Sequence, residues 1–324
     1  MNSLKQNYYN PSFSHIYIEE EVWDHPRTQR ILDFFPKAVK IEIAHYKDVF
    51  CRKKQDISLQ NKAPMLILAK KRVPFVYSGA AVCQDFGEEH FYYTSCAMNC
   101  IYDCEYCYMK GMYPSGNLVF FVNLEDTFQE IERRLMEHGM YVCISYDTDL
   151  MAMERITGFV EDWVSFAKTH PGLIVECRTK CSGTEFWKRV PSNKQVVFAF
   201  TLSPKRIVEE CEWKTPPLQE RLLAVREAMD HGFPVRLCFD PMIYVSDWKK
   251  QYGDLIDQAA SLLDFSRIRD ASIGSFRISQ DYLKKMRRVM PMSKTVQFPF
   301  ENEKGVYHYP TALMDEMEAY LLQL

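Results

Sequence analysis

No stretch of this chain is apolar for the roughly 18–20 residues that a membrane-spanning helix requires. The first ten residues, Met1 to Asn10, lack the apolar core of a signal peptide. No charge of one sign dominates either. The formal net charge is −3 over 324 residues, so overall charge does not mark the chain as an obvious polyanion binder. Gly and Pro are used at ordinary levels, which excludes collagen-like and low-complexity classes. These absences leave a cytosolic globular protein, long enough for one large or two small domains. With 47% apolar residues it can bury a sizeable core.

Basic clusters are present at Arg52 to Lys54, Lys70 to Arg72, and Lys284-Lys285 with Arg287-Arg288. Each reads first as a solvated face. A mildly acidic enzyme can still carry one basic groove, because phosphate binding depends on the local field.

The cysteine count is 11, an odd number, and four of these fall between Cys96 and Cys107. A cytosolic chain of this size is not stapled by disulfides, so clustered cysteines read as metal ligands or catalytic thiols. The scattered remainder reads as small buried apolar residues.

Residues 1–89 form an N-terminal segment, polar and aromatic at first and then apolar at Met65 to Ala69. From Phe91 a rhythm sets in. Strand-like runs recur at Phe91 to Ser95, Tyr141 to Ser145, Leu173 to Arg178, Val196 to Thr201, Val235 to Phe239 and Ala271 to Gly274. Helix-like runs separate them. In Leu218 to Met229, Leu218, Leu222, Val225 and Met229 share one face, with Pro216 and Pro217 before it and Gly232 and Pro234 after it. In Thr127 to His138, Phe128, Ile131 and Leu135 share a face and Gly139 supplies the stop.

This alternation predicts an α/β fold with a parallel sheet. The repeats span residues 90–290, and residues 291–324 read as a C-terminal hairpin and helix. Six repeats fall short of a full eight-fold barrel of about 250 residues. An open doubly wound sheet fits the pattern as well as a partial barrel does. Both place chemistry at the carboxyl ends of the strands, where the cysteine cluster begins.

Within Cys96-Ala97-Met98-Asn99-Cys100-Ile101-Tyr102-Asp103-Cys104-Glu105-Tyr106-Cys107, two spacings are available: Cys100-x3-Cys104-x2-Cys107, or Cys96-x3-Cys100-x3-Cys104. Thiolates select iron–sulfur clusters or zinc. Structural zinc wants four ligands, and no second Cys-x2-Cys or His pair follows at finger spacing. Four cysteines could also close a cluster completely and leave an electron carrier.

The spacing Cys100-x3-Cys104-x2-Cys107, with Tyr106 before the last cysteine, resembles the signature of the radical S-adenosylmethionine superfamily. That resemblance implies a [4Fe–4S] cluster held by Cys100, Cys104 and Cys107, with the fourth iron open to S-adenosylmethionine. One electron then splits the cofactor to methionine and a 5′-deoxyadenosyl radical, and Cys96 is a spare.

Further runs resemble one family within it, spore photoproduct lyase. They are Cys104 to Met109, Leu118 to Glu125, Asp149, Glu154 to Gly158, Arg178-Thr179-Lys180, Leu218 to Arg221 and Pro241 to Tyr244, with a weaker echo at Gly305 to Pro310. The family implies a partial (β/α)6 TIM-like barrel of the radical S-adenosylmethionine type with an N-terminal extension. It implies damaged DNA as partner and a reductant such as flavodoxin or ferredoxin. The radical takes hydrogen from a methylene-bridged thymine dimer, the bridge fragments, and a cysteine returns a hydrogen with the help of tyrosines.

Tyr106 and Tyr108 match the family's tyrosines, and aromatic packing around the cluster is the competing role. Thr148, Asp149, Lys180 and Thr201 match its cofactor-binding positions. One departure matters: Tyr146 stands where the hydrogen-donating cysteine belongs. The nearest thiol, Cys143, lies three residues earlier and on the opposite face of a straight strand. Tyr146 and Cys143 are therefore both candidate donors. Gln297 to Phe300 also offers no Arg-Tyr pair of the kind the family inserts beside its lesion. The readings carried forward are a lyase acting on damaged thymines, a relative acting on a non-DNA substrate, and a non-enzymatic iron–sulfur protein.

Overall fold

A computed structural model describes residues 12–79 and 84–324. The N-terminal stretch 1–11, read above for its lack of signal-peptide character, lies outside the described residues. All six expected strands form and lie side by side in chain order in one sheet. They are Phe91–Tyr93, Met140–Cys143, Leu173–Thr179, Val196–Thr201, Val235–Met242 and Asp270–Ser275. Every neighbouring pair among them is parallel. Tyr77–Ser78 adds an antiparallel edge beside the first. The sheet curls into a partial barrel, so the parallel order with helical crossovers is settled in favour of that form.

Helices cover the outer face of the sheet, which explains the long apolar runs in the strands. The Leu218–Asp230 helix buries Leu218, Leu222, Val225 and Met229 as its pattern predicts. Fully burying each such side chain contributes about 1.5–3 kcal/mol. The helix expected at Thr127 to His138 runs instead from Leu124 to Leu135. Its start is fixed by Glu125 in the first turn, which meets His25 at 2.7 Å and Arg27 at 2.5 Å. A carboxylate there complements the helix dipole.

A second sheet of five strands runs in the order 39–43, 15–19, 66–69, 118–121, 97–98. Two of its strands come from beyond residue 89. The boundary drawn there therefore passes through a continuous sheet. The C-terminal residues contain a hairpin, Glu301–Glu303 with Val306–His308, and a helix, Thr311–Gln323. Arg277–Ser279 joins that hairpin as a third strand.

Candidate functional site

The carboxyl ends of the barrel strands open on a cavity of about 770 Å³. The loop after the first strand carries the cysteines. Asn99 turns the chain in the left-handed region at φ 65°. Its side-chain amide donates to the carbonyls of Ser115 and Asn117, each at 2.7 Å. Asn is among the few non-glycine residues that tolerate that conformation. Beyond the turn, Asp103–Cys104 pairs with Glu212–Trp213, and Glu105 N–H donates to the Cys211 carbonyl at 2.7 Å.

Cys100, Cys104 and Cys107 all line the cavity, and none is in a disulfide. The Tyr102 N–H points at Cys100 Sγ over 3.4 Å. Burial pushes all three thiols up, Cys104 to about 12. A bound metal supplies the positive charge that makes the thiolates favourable. Among the described residues no three His, Cys, Asp or Glu side chains are already gathered tightly enough to grip an ion. The donor set nevertheless fits an iron–sulfur cluster: three soft ligands from one short loop, open to one space. Cys96 is directed elsewhere. It is 3% exposed and accepts a hydrogen bond from Trp163 Nε1 at 3.4 Å.

Thr148, Asp149, Lys180 and Thr201 line the same cavity. Asp149 caps the Leu150–Thr157 helix. Its carboxylate accepts from Ala152 N–H at 3.2 Å, Thr179 Oγ1 at 2.7 Å and Lys180 N–H at 2.7 Å. It thus ties the loop after the second strand to the end of the third. Burial raises its pKa despite these donors. Lys180 Nζ sits 5.7 Å from the Tyr106 ring centroid. Burial works to discharge this lysine, but Cys104 and Glu212 outweigh it and hold the lysine protonated.

Tyr106 donates its hydroxyl to Glu212, which also accepts from Ser203 Oγ at 2.7 Å and pairs with Arg221 at 2.5 Å. Tyr108 donates to the Tyr146 carbonyl at 2.6 Å. The Tyr146 ring lines the cavity and stacks on Tyr93 at 4.2 Å. Tyr93 stacks in turn on Tyr77 at 5.0 Å. Cys143 ends its strand in register with Tyr93 and Glu176, on the face shared by Tyr141, and it does not line the cavity. The chain leaves the strand directly after it, and this brings Tyr146 to the cavity.

Three wall residues were not singled out as sites from the sequence: Arg178 as an individual side chain, Asp240 and Arg277. One signal was available. Glu176 and Arg178 alternate on a mostly apolar strand, with Lys180 next in the same alternation just past its end, so one face of that strand is polar. Lys71, Tyr46 and Tyr77 also reach the cavity from the N-terminal segment.

The spore photoproduct lyase family model matches residues 9–304. Spore photoproduct lyase of Clostridium acetobutylicum is 22% identical over 217 residues, 65% of this chain and 62% of that protein. The Bacillus subtilis protein of the same name is 20% identical over 172 residues, 52% of this chain and 50% of that protein. The matched stretches thus span between half and two thirds of these relatives. A solved double mutant of spore photoproduct lyase with bound AdoMet and dinucleoside spore photoproduct superposes with a TM-score of 0.84 at 17% identity, covering 97% of this chain and 95% of that one. A complex of the lyase with dinucleoside spore photoproduct gives 0.83 at 16%, covering 96% and 94%.

Proposed function

This chain belongs to the spore photoproduct lyase family, and from that premise we propose that it is a radical S-adenosylmethionine lyase that opens methylene-bridged thymine dimers in DNA. The observation that carries the reading is the meeting of Cys100, Cys104 and Cys107 with Thr148, Asp149, Lys180 and Thr201 around one cavity. The three cysteines would hold the [4Fe–4S] cluster. Lys180, Thr148 and Thr201 would face the cofactor, with Asp149 positioning the loops between them. When bound, cluster and S-adenosylmethionine supply a 5′-deoxyadenosyl radical able to take hydrogen from a saturated carbon.

The chain's own residues do the rest. Aromatic side chains, Tyr93, Tyr106, Tyr108 and Tyr146 among them, wall the cavity in which the radical would be held. Tyr146 lines the cavity and Cys143 does not, which supports Tyr146 over Cys143 as the final hydrogen donor. Its O–H bond breaks as the thymine C–H bond forms, leaving a phenoxyl radical beside Tyr93 and Tyr108. A low-potential reductant of the flavodoxin or ferredoxin type returns one electron, and a proton restores the phenol.

The experiment is anaerobic reconstitution with iron and sulfide, then dithionite and S-adenosylmethionine, with and without a synthetic thymine-dimer dinucleotide. Release of 5′-deoxyadenosine and of repaired dinucleotide supports the reading. Cofactor cleavage without repair favours a relative acting on a non-DNA substrate. The specific observation behind that second reading is that a tyrosine, not a thiol, faces the cavity at position 146.

A further inference from the structure

The cavity carries a charged group that the cluster and cofactor do not use. Arg178 is the penultimate residue of the third barrel strand, Asp240 lies near the end of the fifth, and Arg277 follows the sixth. All three line the cavity. Arg277 meets the Asp240 carboxylate at 3.4 Å, and Arg178 meets it at 3.9 Å. Arg178 continues to Glu176 at 3.6 Å, Glu176 to Arg236 at 2.5 Å, Arg236 to Asp270, and Asp270 to Arg269 at 3.2 Å. This ladder of four guanidiniums and three carboxylates carries one positive charge in excess. At its far end Asp270 and Arg269 are one-third exposed and screened by water. At its cavity end two guanidiniums share one carboxylate.

The contacts to Asp240 at that end are long: Arg277 reaches it through two nitrogens at 3.4 Å each and also donates to the Ser275 carbonyl at 3.2 Å. The buried Arg178 Nε stands 3.6 Å from Glu176 Oε1, beyond hydrogen-bond length. The arrangement is also built. A register shift between Phe239 and Met242 carries the chain past Asp240 irregularly. Gly274 leaves the room Arg277 needs: a Cβ there would stand 2.9 Å from Arg277 Nη1 and 3.2 Å from Asp240 Cγ.

We propose that Arg178 and Arg277 form an anion subsite that receives the bridging phosphodiester of a dinucleotide substrate. Guanidinium forks match phosphate oxygens in pairs, which a point-charge lysine does not. The same cavity presents the ring of Tyr146 backed by Tyr93, with Tyr108 edge-on to it. Aromatic faces of this kind stack bases. A fixed anion site beside flat apolar faces is complementary to a nucleotide, with the phosphate setting where the two bases lie. The proposal rests on the reading that a thymine dimer enters this cavity, and it adds what holds that dimer.

The test uses the reconstituted holoenzyme without reductant, so that binding is read without turnover. Two ligands are compared: the lesion dinucleotide, which has the phosphodiester, and the lesion dinucleoside, which lacks it. Hydrogen bonds to charged groups are worth about 1.5–3 kcal/mol, so the parent should bind the dinucleotide at least ~10-fold more tightly. In R178Q and R277Q that ratio should shrink, and in the double variant it should fall to about one. G274A, which keeps every charge but crowds Arg277, should also lower it, while R277K should keep part of it. Equal binding of both ligands by the parent overturns the proposal. So does an equal loss of both ligands in the variants, which would mark the arginines as scaffold. Weakened S-adenosylmethionine binding with an unmoved ratio would assign the arginines to the cofactor and overturn it as well. If neither lesion binds the parent, the functional reading fails and the subsite fails with it. If both bind alike, the subsite alone fails.

Discussion

Replacing Glu212 by Gln should destabilise the protein and loosen the cysteine loop together. Glu212 is 1% exposed and Arg221 is fully buried. Arg221 Nη2 reaches the Glu212 carboxylate at 2.5 Å, Thr215 Oγ1 at 2.7 Å, and through Nε the Pro216 carbonyl at 2.9 Å. Burial alone would raise the pKa of Glu212, yet Arg221 and Lys180, with hydrogen bonds from Tyr106 and Ser203, hold it down to about 2. Removing one partner of a buried pair costs about 3–5 kcal/mol, because the other charge is left without its counterion.

Unfolding entropy of roughly 2 cal/mol/K per residue translates this into a Tm about 5–7 °C lower for E212Q. The sign with pH follows from the depressed carboxyl. Its contribution is complete above the unfolded pKa and is lost as pH falls from about 4.5 toward 2. The gap between parent and E212Q should therefore be widest near neutral pH and should narrow in acid. Because Glu212 also holds Tyr106 and pairs in register with Cys104, E212Q should retain less iron under a chelator challenge. Thermal melts from pH 7 to pH 3 and iron titration check both. A Tm within 1 °C of the parent at pH 7, or a gap that does not change with pH, would refute the reasoning.

Three further outcomes are expected. C100A, C104A and C107A should each lose bound iron, read by the cluster's visible absorption, while C96A should keep it, since Cys96 contacts Trp163 instead. Tyr146→Phe should reduce clean repair of the dinucleotide lesion at least ~10-fold and raise trapped side products, whereas Cys143→Ala should leave the product pattern unchanged; mass spectrometry of the products decides between them. Gly111→Ala should cost ~2 kcal/mol or more, because its Cβ would fall 2.4 Å from the Tyr282 carbonyl oxygen and drive the Met109–Met112 helix off its neighbour. Chemical denaturation measures that loss.

The sequence made the barrel strands legible because a strand covered on its outer face reads as an apolar run bounded by turns. Their ends were less legible. The second strand stops at Cys143, two residues before the apolar pattern fades, because the chain there turns off to form the site wall. The fifth runs on to Met242 through Pro241, which the register shift accommodates. The three cysteines that line the cavity could be read as a candidate ligand set because they lie within eight residues of one another. Arg178, Asp240 and Arg277 could not be read together, because three separate strand ends bring them to one place.

The N-terminal segment was opaque for the same reason, and the structure gives it a part in the site. Its sheet is completed by Leu118–Phe121 and Ala97–Met98, which flank the cysteine loop on either side. Loop and N-terminal sheet are thereby anchored to each other. At the end of that run, Asn123 Oδ1 accepts from Lys71 N–H at 2.6 Å and Asn123 Nδ2 donates to the Lys71 carbonyl at 2.9 Å. Lys71 Nζ then donates to Tyr77 at 2.8 Å, Tyr77 stacks on Tyr93, and Tyr93 stacks on Tyr146. The Leu118 to Glu125 stretch, which carries part of the family resemblance, therefore holds a scaffold and not a reacting group. Its strand fixes the cysteine loop, its asparagine fixes Lys71, and Lys71 supports the tyrosine stack that ends at position 146. Residues from both sides of the cysteine loop thereby hold the Tyr146 ring in place.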